Sequence, residues 1–564
     1  MKDVAVTPKF AIALLAVAGV LLYLSFGYTE MAGSDLWWHI AAGRELLQTG
    51  NPRLVDDWSW SAHGNDWLNH EWLADIVFYG WTAQWGIESL VYWKWLVIVA
   101  AFLFLQFALA RESGHLSALL WSGFAMATAA PFIDVRPHLY TLLFFCLLLY
   151  LLLGRRASLW VLAPLFLLWV NLHGGFFFGL MALGILLFPW REFSLEKFRS
   201  VFLVGLACAL VVLLNPYGYD AFLYPLKYAF QESSPYRQLA EWLPPFDPGG
   251  IRSPLFFVFM WMPLLGLAYL VPDIRRQVPV PWEGLALTVL TLAMALTSRR
   301  FIPLFAISLA VLMAPLTGLF LKRLERGAVF VVLAFAVLIF SAVRLAPMPL
   351  TAAPAFHYLT MAYSYPVEIV NFMQANKLGG KVFAYYNWGG YLHLRTDGDL
   401  KVFIDGRADT LYSAQDYIDY VNVLYSKPGW IEWLNNSDAD YVMWPERRGK
   451  GGQKIGELLA TGEWQFLYND HTGWLLSRTG LYLPQQLRET PPSTGNELRQ
   501  ARLASAQGDV ASAIRHAENA RKAVPWHRDA CLYLATIYRG EQQDAAAREV
   551  LDACRSYFPT PQFD

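Results

Sequence analysis

Asp35 opens the run Asp35-Leu36-Trp37-Trp38-His39, which follows the first apolar segment of the chain by about eight residues. A carboxylate there can take the proton of a hydroxyl nucleophile; its plainer reading is a solvated residue or a helix cap. Trp37 and Trp38 offer flat faces for a sugar or a lipid head group, besides the common use of tryptophan as an interfacial anchor, and His39 adds an imidazole. Further along, Asp56-Asp57 and His70-Glu71 mix hard oxygens with imidazole, a set that suits Mg²⁺, Mn²⁺ or Zn²⁺. The two aspartates read equally well as a turn and a helix cap. Arg136, Arg299 and Arg300 sit on very short turns between apolar segments. Guanidinium groups grip phosphate oxygens two at a time, while snorkelling to lipid head groups is their ordinary use. His138, Asn171 and His173 add donors that suit a departing phosphate or, singly, the end of a helix.

The elements that must position these residues are membrane helices. Of the 564 residues 56% are hydrophobic and 16% charged, which marks a polytopic membrane protein too long for one domain. A net charge of −1 lacks the basic surface that nucleic acid demands. Runs long enough for a hydrocarbon core lie near 10–27, 89–110, 115–133, 139–153, 157–171, 174–189, 200–214, 254–271, 283–297, 301–320 and 328–345, about eleven spans. The first is expected to stay as an anchor rather than be cleaved as a signal peptide. Plain basic clusters such as Arg155-Arg156, Arg275-Arg276 and Lys322-Arg323 fall on one side, so the positive-inside rule puts the N-terminus in the cytoplasm. The loops at 28–88, 134–138, 171–175, 215–253 and 298–300, and everything past about 346, then share the outer side. Among them Glu241-Trp242 and Asn215-Pro216-Tyr217 add further polar groups, and such groups at membrane depth point to function.

Past residue 346 the pattern turns soluble. Short apolar strands at 382–386, 402–404, 441–444 and 474–476 alternate with helical stretches at 366–376, 414–425 and 453–460, which predicts an extracytoplasmic α/β domain within 346–482. Gly389-Gly390 and Asp405-Gly406-Arg407 read as turns, or else as a place where Asp405 and Arg407 meet a ligand. A Pro/Ser/Thr-rich linker at 483–494 leads to 495–564, where Ala501, Ala513, Ala520 and Pro525 recur 34 residues later as Ala535, Ala547, Cys554 and Pro559. That period predicts a short tetratricopeptide-like helical tail, which would need a partner surface to be stable. Cys531 and Cys554 read either as small packing residues or as a disulfide, and Cys146 and Cys208 as core residues within spans.

A carboxylate in a long first outer loop, many further spans and an outer C-terminal domain together resemble the GT-C superfamily of integral membrane glycosyltransferases, such as protein O-mannosyltransferases and aminoarabinose transferases. Trp67 with His70-Glu71-Trp72-Leu73, Asn171-Leu172-His173-Gly174-Gly175, Asn215-Pro216-Tyr217-Gly218 and Arg299-Arg300-Phe301 also look like a set of bacterial multi-span proteins described as hypothetical or glycosyltransferase-like. In those a Trp-Gly-Gly-Tyr and Asp-Gly-Arg domain follows the spans, as at 388–391 and 405–407 here.

The resemblance implies a GT-C-like transmembrane domain over 1–345, with Asp35 as general base and a sugar moved from a polyprenyl-phosphate carrier to a glycan, lipid or protein acceptor. The partners it implies are that lipid-linked donor, membrane lipids and a protein held by the tail, at the periplasmic face of a bacterial inner membrane. The family's acidic pair or DxD is replaced here by Asp-Leu-Trp-Trp-His, which leaves a divalent metal open. Two other classes fit less well. A flippase of lipid-linked glycan would be expected to show an internal repeat and polar residues near the midplane, and a non-catalytic assembly protein would act through its tail alone.

Overall fold

The computed structural model describes residues 8–29, 33–153, 159–230, 235–239, 241–348, 350, 365–446, 451–470, 472–484, 487, 494–525 and 527–556. The chain divides into two compact units. One comprises residues 1–30, 68–77 and 89–348, the other 31–67, 78–88 and 349–564. Most of the loop at 28–88 falls in the unit that holds the C-terminal residues.

In the first unit the predicted spans fall on helix where the residues are described, except that at 254–271. The long ones are Pro8–Phe26, Leu90–Ser113, Leu195–Val212, Ile302–Leu321 and Gly327–Leu345, and the shorter ones His115–Ala129, His138–Leu152, Leu162–Leu172, Phe176–Leu187 and Trp282–Thr297. Among the described residues four helical stretches are long and apolar enough to cross a membrane: 9–26, 87–113, 299–324 and 327–345. The predicted span at 254–271 is broken into a helix Pro254–Phe259 and a 3₁₀ stretch Met262–Leu270. Pro263 at the start of the second piece has no N–H to continue the first.

Small residues and satisfied hydroxyls hold the helices together, as expected where apolar burial gives little preference between neighbours and lipid. Tyr23 Oη donates to Gln106 Oε1 at 2.8 Å and lies 2.6 Å from Ser122 Oγ, joining three helices. Gly318 lets Ile302–Leu321 close on the Ser113 carbonyl, which a Cβ would strike.

The second unit is built on a five-stranded sheet. Its strands follow a short hairpin of β1 (Leu54–Val55) and β2 (Asp66–Trp67), and are β3 (Gly380–Ala384), β4 (Leu400–Val402), β5 (Tyr441–Pro445), β6 (Trp464–Asn469) and β7 (Gly473–Arg478). The order is β4-β3-β5-β7-β6, with β3 parallel to both β4 and β5 and the rest antiparallel. Residues of the first loop extend it past β4. Ser59 bridges Val402 in parallel, Val402 N–H donates to Trp58 O and Trp60 N–H donates to Val402 O, each at 3.0 Å.

The helix Asp35–Thr49 packs on the helix Gly389–Thr396. Gly389 and Gly390 are not turn residues but helical ones, and a Cβ on Gly390 would lie 2.9 Å from the Trp38 nitrogen. The core gathers Trp37, Ile369, Met373, Val382, Tyr391 and Leu475.

The tail forms two helical hairpins, Thr494–Ala506 with Val510–Ala523 and Arg528–Gly540 with Asp544–Ser556. Ala501, Ala513, Ala520, Ala535 and Ala547 are all buried, which is why the repeat selects small residues there. Cys531 and Cys554 are joined by a disulfide.

Candidate functional site

In the first unit, loops between apolar helices bring seven of the polar side chains together. Glu71 precedes the helix Trp72–Trp85, and its Oε1 lies 3.6 Å from both His70 Nε2 and His173 Nε2. Glu241 supplies a second carboxylate: Oε2 is 2.9 Å from Arg136 Nη1 and Oε1 is 3.6 Å from Arg300 Nη1. Burial alone would raise the Glu241 carboxyl, but Arg136 and Arg300 overcome it and hold the group down at about 2. Arg300 also stacks 4.0 Å above the Trp242 ring, and Arg136 Nε lies 2.9 Å from Asp134 Oδ2. Burial pushes the His173 imidazole well below the usual range, and Arg300, His138, His70 and Arg136 push it the same way. The ring is neutral at physiological pH, and the charges that act on it come from both groups of residues.

Three predicted residues are committed to scaffolding. Arg299 donates Nε to Pro244 O at 3.0 Å and its two terminal nitrogens to the carbonyls of Gly249 and Asp247, so it is spent on the loop after Glu241 rather than offered to a phosphate. Asn171 Oδ1 accepts from Trp72 Nε1 at 2.7 Å and from Asn215 Nδ2 at 3.2 Å, while its Nδ2 donates to Leu167 O. His138 Nε2 lies 2.9 Å from Phe132 O.

Glycine explains the motif at 171–175. A Cβ on Gly175 would run into Thr141 Oγ1, and one on Gly174 would lie 3.1 Å from His70 Nε2. Thr141 gave no signal in the sequence, because a threonine one turn into an apolar helix looks like any other. Glu241 did, as one of the polar groups expected on the outer side of the membrane.

In the second unit, Asp35 is the first residue of the helix Asp35–Thr49, partly exposed, with Oδ1 accepting from Ser34 Oγ at 2.7 Å. The expected stacking faces are buried instead. Trp37 meets Tyr365 and Tyr391 edge-on at 4.8 and 5.0 Å, Trp38 meets Trp67 at 5.6 Å, and His39 meets Phe78 at 5.7 Å. These three residues fasten the helix to its own unit.

Asp56 is likewise occupied. Its Oδ1 accepts from Arg407 Nη1 at 2.6 Å and from Trp58 N at 3.2 Å, and its Oδ2 from Ser59 Oγ at 2.6 Å. Arg407 also grips Asp405 through Nε and Nη2, at 2.9 and 2.8 Å, and lies 4.3 Å above the Trp58 ring. Burial works against the Arg407 charge, and Asp405, Tyr412 and Asp56 outweigh it. Asp405-Gly406-Arg407 is thus a turn, as one of its two readings has it, and Asp405 and Arg407 supply two of the three members of a buried ion triad completed by Asp56. Asp57 is exposed, 3.2 Å from Lys401 Nζ.

A metal fits these residues poorly. Asp56 has its oxygens taken, and Asp57 faces Lys401 and His63 instead. Around Glu71, His173 Nδ1 accepts the Gly175 N–H at 2.9 Å, so in the neutral ring the proton is on Nε2, the nitrogen that faces Glu71, and no lone pair is left there for a cation. Among the described residues no group of three or more His, Cys, Asp or Glu side chains is arranged to hold a metal ion.

By sequence, the comparisons with known proteins reach part of the chain. A family described as tetratricopeptide repeat matches residues 504–563. No curated protein matches the chain. A crystal structure of the Archaeoglobus fulgidus oligosaccharyltransferase in complex with zinc and sulfate aligns with 94% of this chain and 85% of its own, at a TM-score of 0.44 and 12% identity.

Proposed function

We propose that the protein is a membrane-embedded glycosyltransferase that moves a sugar from a polyprenyl-phosphate donor to an acceptor at the periplasmic face of a bacterial inner membrane. The observation that carries this reading is the convergence of Glu71, His70, His173, Arg136, Glu241 and Arg300 in the loops of an apolar helical unit. Ionisable groups in such a place are expensive unless used.

Their chemistry suits a phosphate that departs. Arg136 and Arg300 offer guanidinium to its oxygens, and a neutral imidazole donor steadies the charge that builds there without bringing a proton of its own to lose. In the step itself the acceptor hydroxyl gives its proton to a carboxylate and its oxygen bonds to the anomeric carbon. The bond from that carbon to the phosphate oxygen breaks, with its electron pair left on the phosphate. Asp35 is the carboxylate to which the resemblance assigns the proton. No step needs a metal. The tail serves as a docking module, and its disulfide supports an oxidising compartment for that end of the chain.

The test is mass spectrometry of surface glycans and lipid-linked sugars from a deletion strain complemented with wild type, Asp35→Asn or Arg300→Ala. Wild type should restore the glycan, whereas each variant should leave its lipid-linked precursor accumulated. Full complementation by Asp35→Asn would remove the base, and an unchanged glycan profile in the deletion strain would remove the transferase reading.

A further inference from the structure

Thr141 stands in the first turn of the helix His138–Leu152, buried, and nothing in the preceding reading gives it a task. Its hydroxyl accepts from Trp169 Nε1 at 3.0 Å and lies 2.7 Å from His173 Nδ1. With the indole proton already filling an acceptor position of Oγ1, the hydroxyl proton is free to turn toward the ring. The Gly175 N–H, which can only donate, points at the same ring nitrogen at 2.9 Å. Two donors on Nδ1 leave no place for a proton there.

We propose that Thr141 is a positioning residue that locks His173 as the neutral Nε2–H tautomer, so that Nε2–H is a fixed donor to a phosphate oxygen of the lipid-linked substrate. The assignment rests on the transferase reading for the identity of that phosphate, but not for the lock itself. The groups facing His173 are consistent with it. Glu71 takes the direction of the donor, at 3.6 Å, when no phosphate is bound, and His70 flanks Glu71 on its other side. Burial, and after it the charge of Arg300 and Arg136, keeps the ring neutral, and the same charge would attract the phosphate. Because a neutral imidazole donates without first taking up a proton, the contact is independent of pH across the physiological range. The arrangement also accounts for the glycine at 175: any side chain there would displace the hydroxyl that sets the tautomer.

The experiment uses the purified full chain in detergent, with histidine labelled in its ring nitrogens and the His173 signal assigned by its loss in His173→Gln. Wild type should show the Nε2–H pattern and bind farnesyl phosphate. Thr141→Val, which keeps the shape and removes the hydroxyl, leaves the Gly175 N–H as the one donor on Nδ1, so it should lower the Nε2–H fraction and weaken binding by the same factor. Thr141→Ser should restore both. His173→Gln, which carries an N–H at nearly the same reach, should bind better than His173→Ala. Inorganic phosphate and farnesol are the comparison ligands: a Thr141→Val effect shared by inorganic phosphate but absent with farnesol locates the contact on the phosphate. An Nδ1–H ring in wild type, or equal binding by wild type and Thr141→Val, overturns the proposal. Lock and binding as expected with no sugar transferred in cells would overturn the transferase reading alone.

Discussion

At the scale of single residues, the side chains that sequence reading picked out for chemistry divide into those that face one another across loops and those that hold loops in place. Arg407 is the clearest of the second kind. It is fully buried between Asp56 and Asp405, with Tyr412 Oη on Nη2 at 2.9 Å, and it ties residues 351 positions apart. Removing it strands two carboxylates away from water, and breaking a buried pair in this way costs roughly 3–5 kcal/mol. Arg407→Ala should therefore lower the thermal midpoint of the detergent-solubilised protein markedly and open residues 50–65 to protease. Arg407→Lys should rescue little, because one ammonium cannot reproduce a fork that serves three partners. A variant that melts and resists protease like wild type would show the triad to be dispensable.

At the scale of elements, the helices were legible and their neighbours were not. Among the described residues the apolar runs long enough to cross a bilayer are helix, except the broken one at 254–271, since backbone polar groups in such runs have few other ways to be satisfied. The strands β3, β4, β5 and β7 lie close to their predicted places, while β6, apolar but without the alternation of a half-buried strand and exposed at Gln465 and Phe466, is not among the predicted ones. What a sequence hides is pairing at long range. Nothing local says that Trp58 to Trp60 will lie beside Val402, or that Gly390 is glycine because Trp38 comes against it.

The junction of the tail is a case of the same kind. Thr494 N–H, at the start of the helix Thr494–Ala506, donates to Glu368 Oε2 at 3.0 Å. Burial and the neighbouring Asp470 push the Glu368 carboxyl up to about 8. A folded-state value above the unfolded one means that its contribution is fully present below the ordinary glutamate range and is lost as pH rises through 8. Glu368→Gln, which cannot ionise, should match wild type near pH 5 and unfold at a higher temperature than wild type near pH 8.5. Equal midpoints at both pH values would show that the carboxyl titrates normally.

At the scale of the whole molecule, the question is which way the chain is threaded, and the tail can answer it without reference to activity. Cys531 and Cys554 lie on the two helices of the last hairpin and are bonded, while Cys146 and Cys208 are free and buried within apolar helices. A disulfide of this kind persists outside the cytoplasm and is reduced within it. The positive-inside expectation argues from a different physical cause for an N-terminus inside, and an odd number of crossings would then put the tail outside. Cells quenched in acid, unfolded and treated with a maleimide should accordingly label two cysteines before reduction and four after it, and Cys531→Ser should raise the first number by one, freeing Cys554. Four labelled thiols before reduction would put the tail in the cytoplasm. That result would count against the proposed topology, and with it against the proposed placement of Glu71, His173, Arg136 and Arg300 on the outer side.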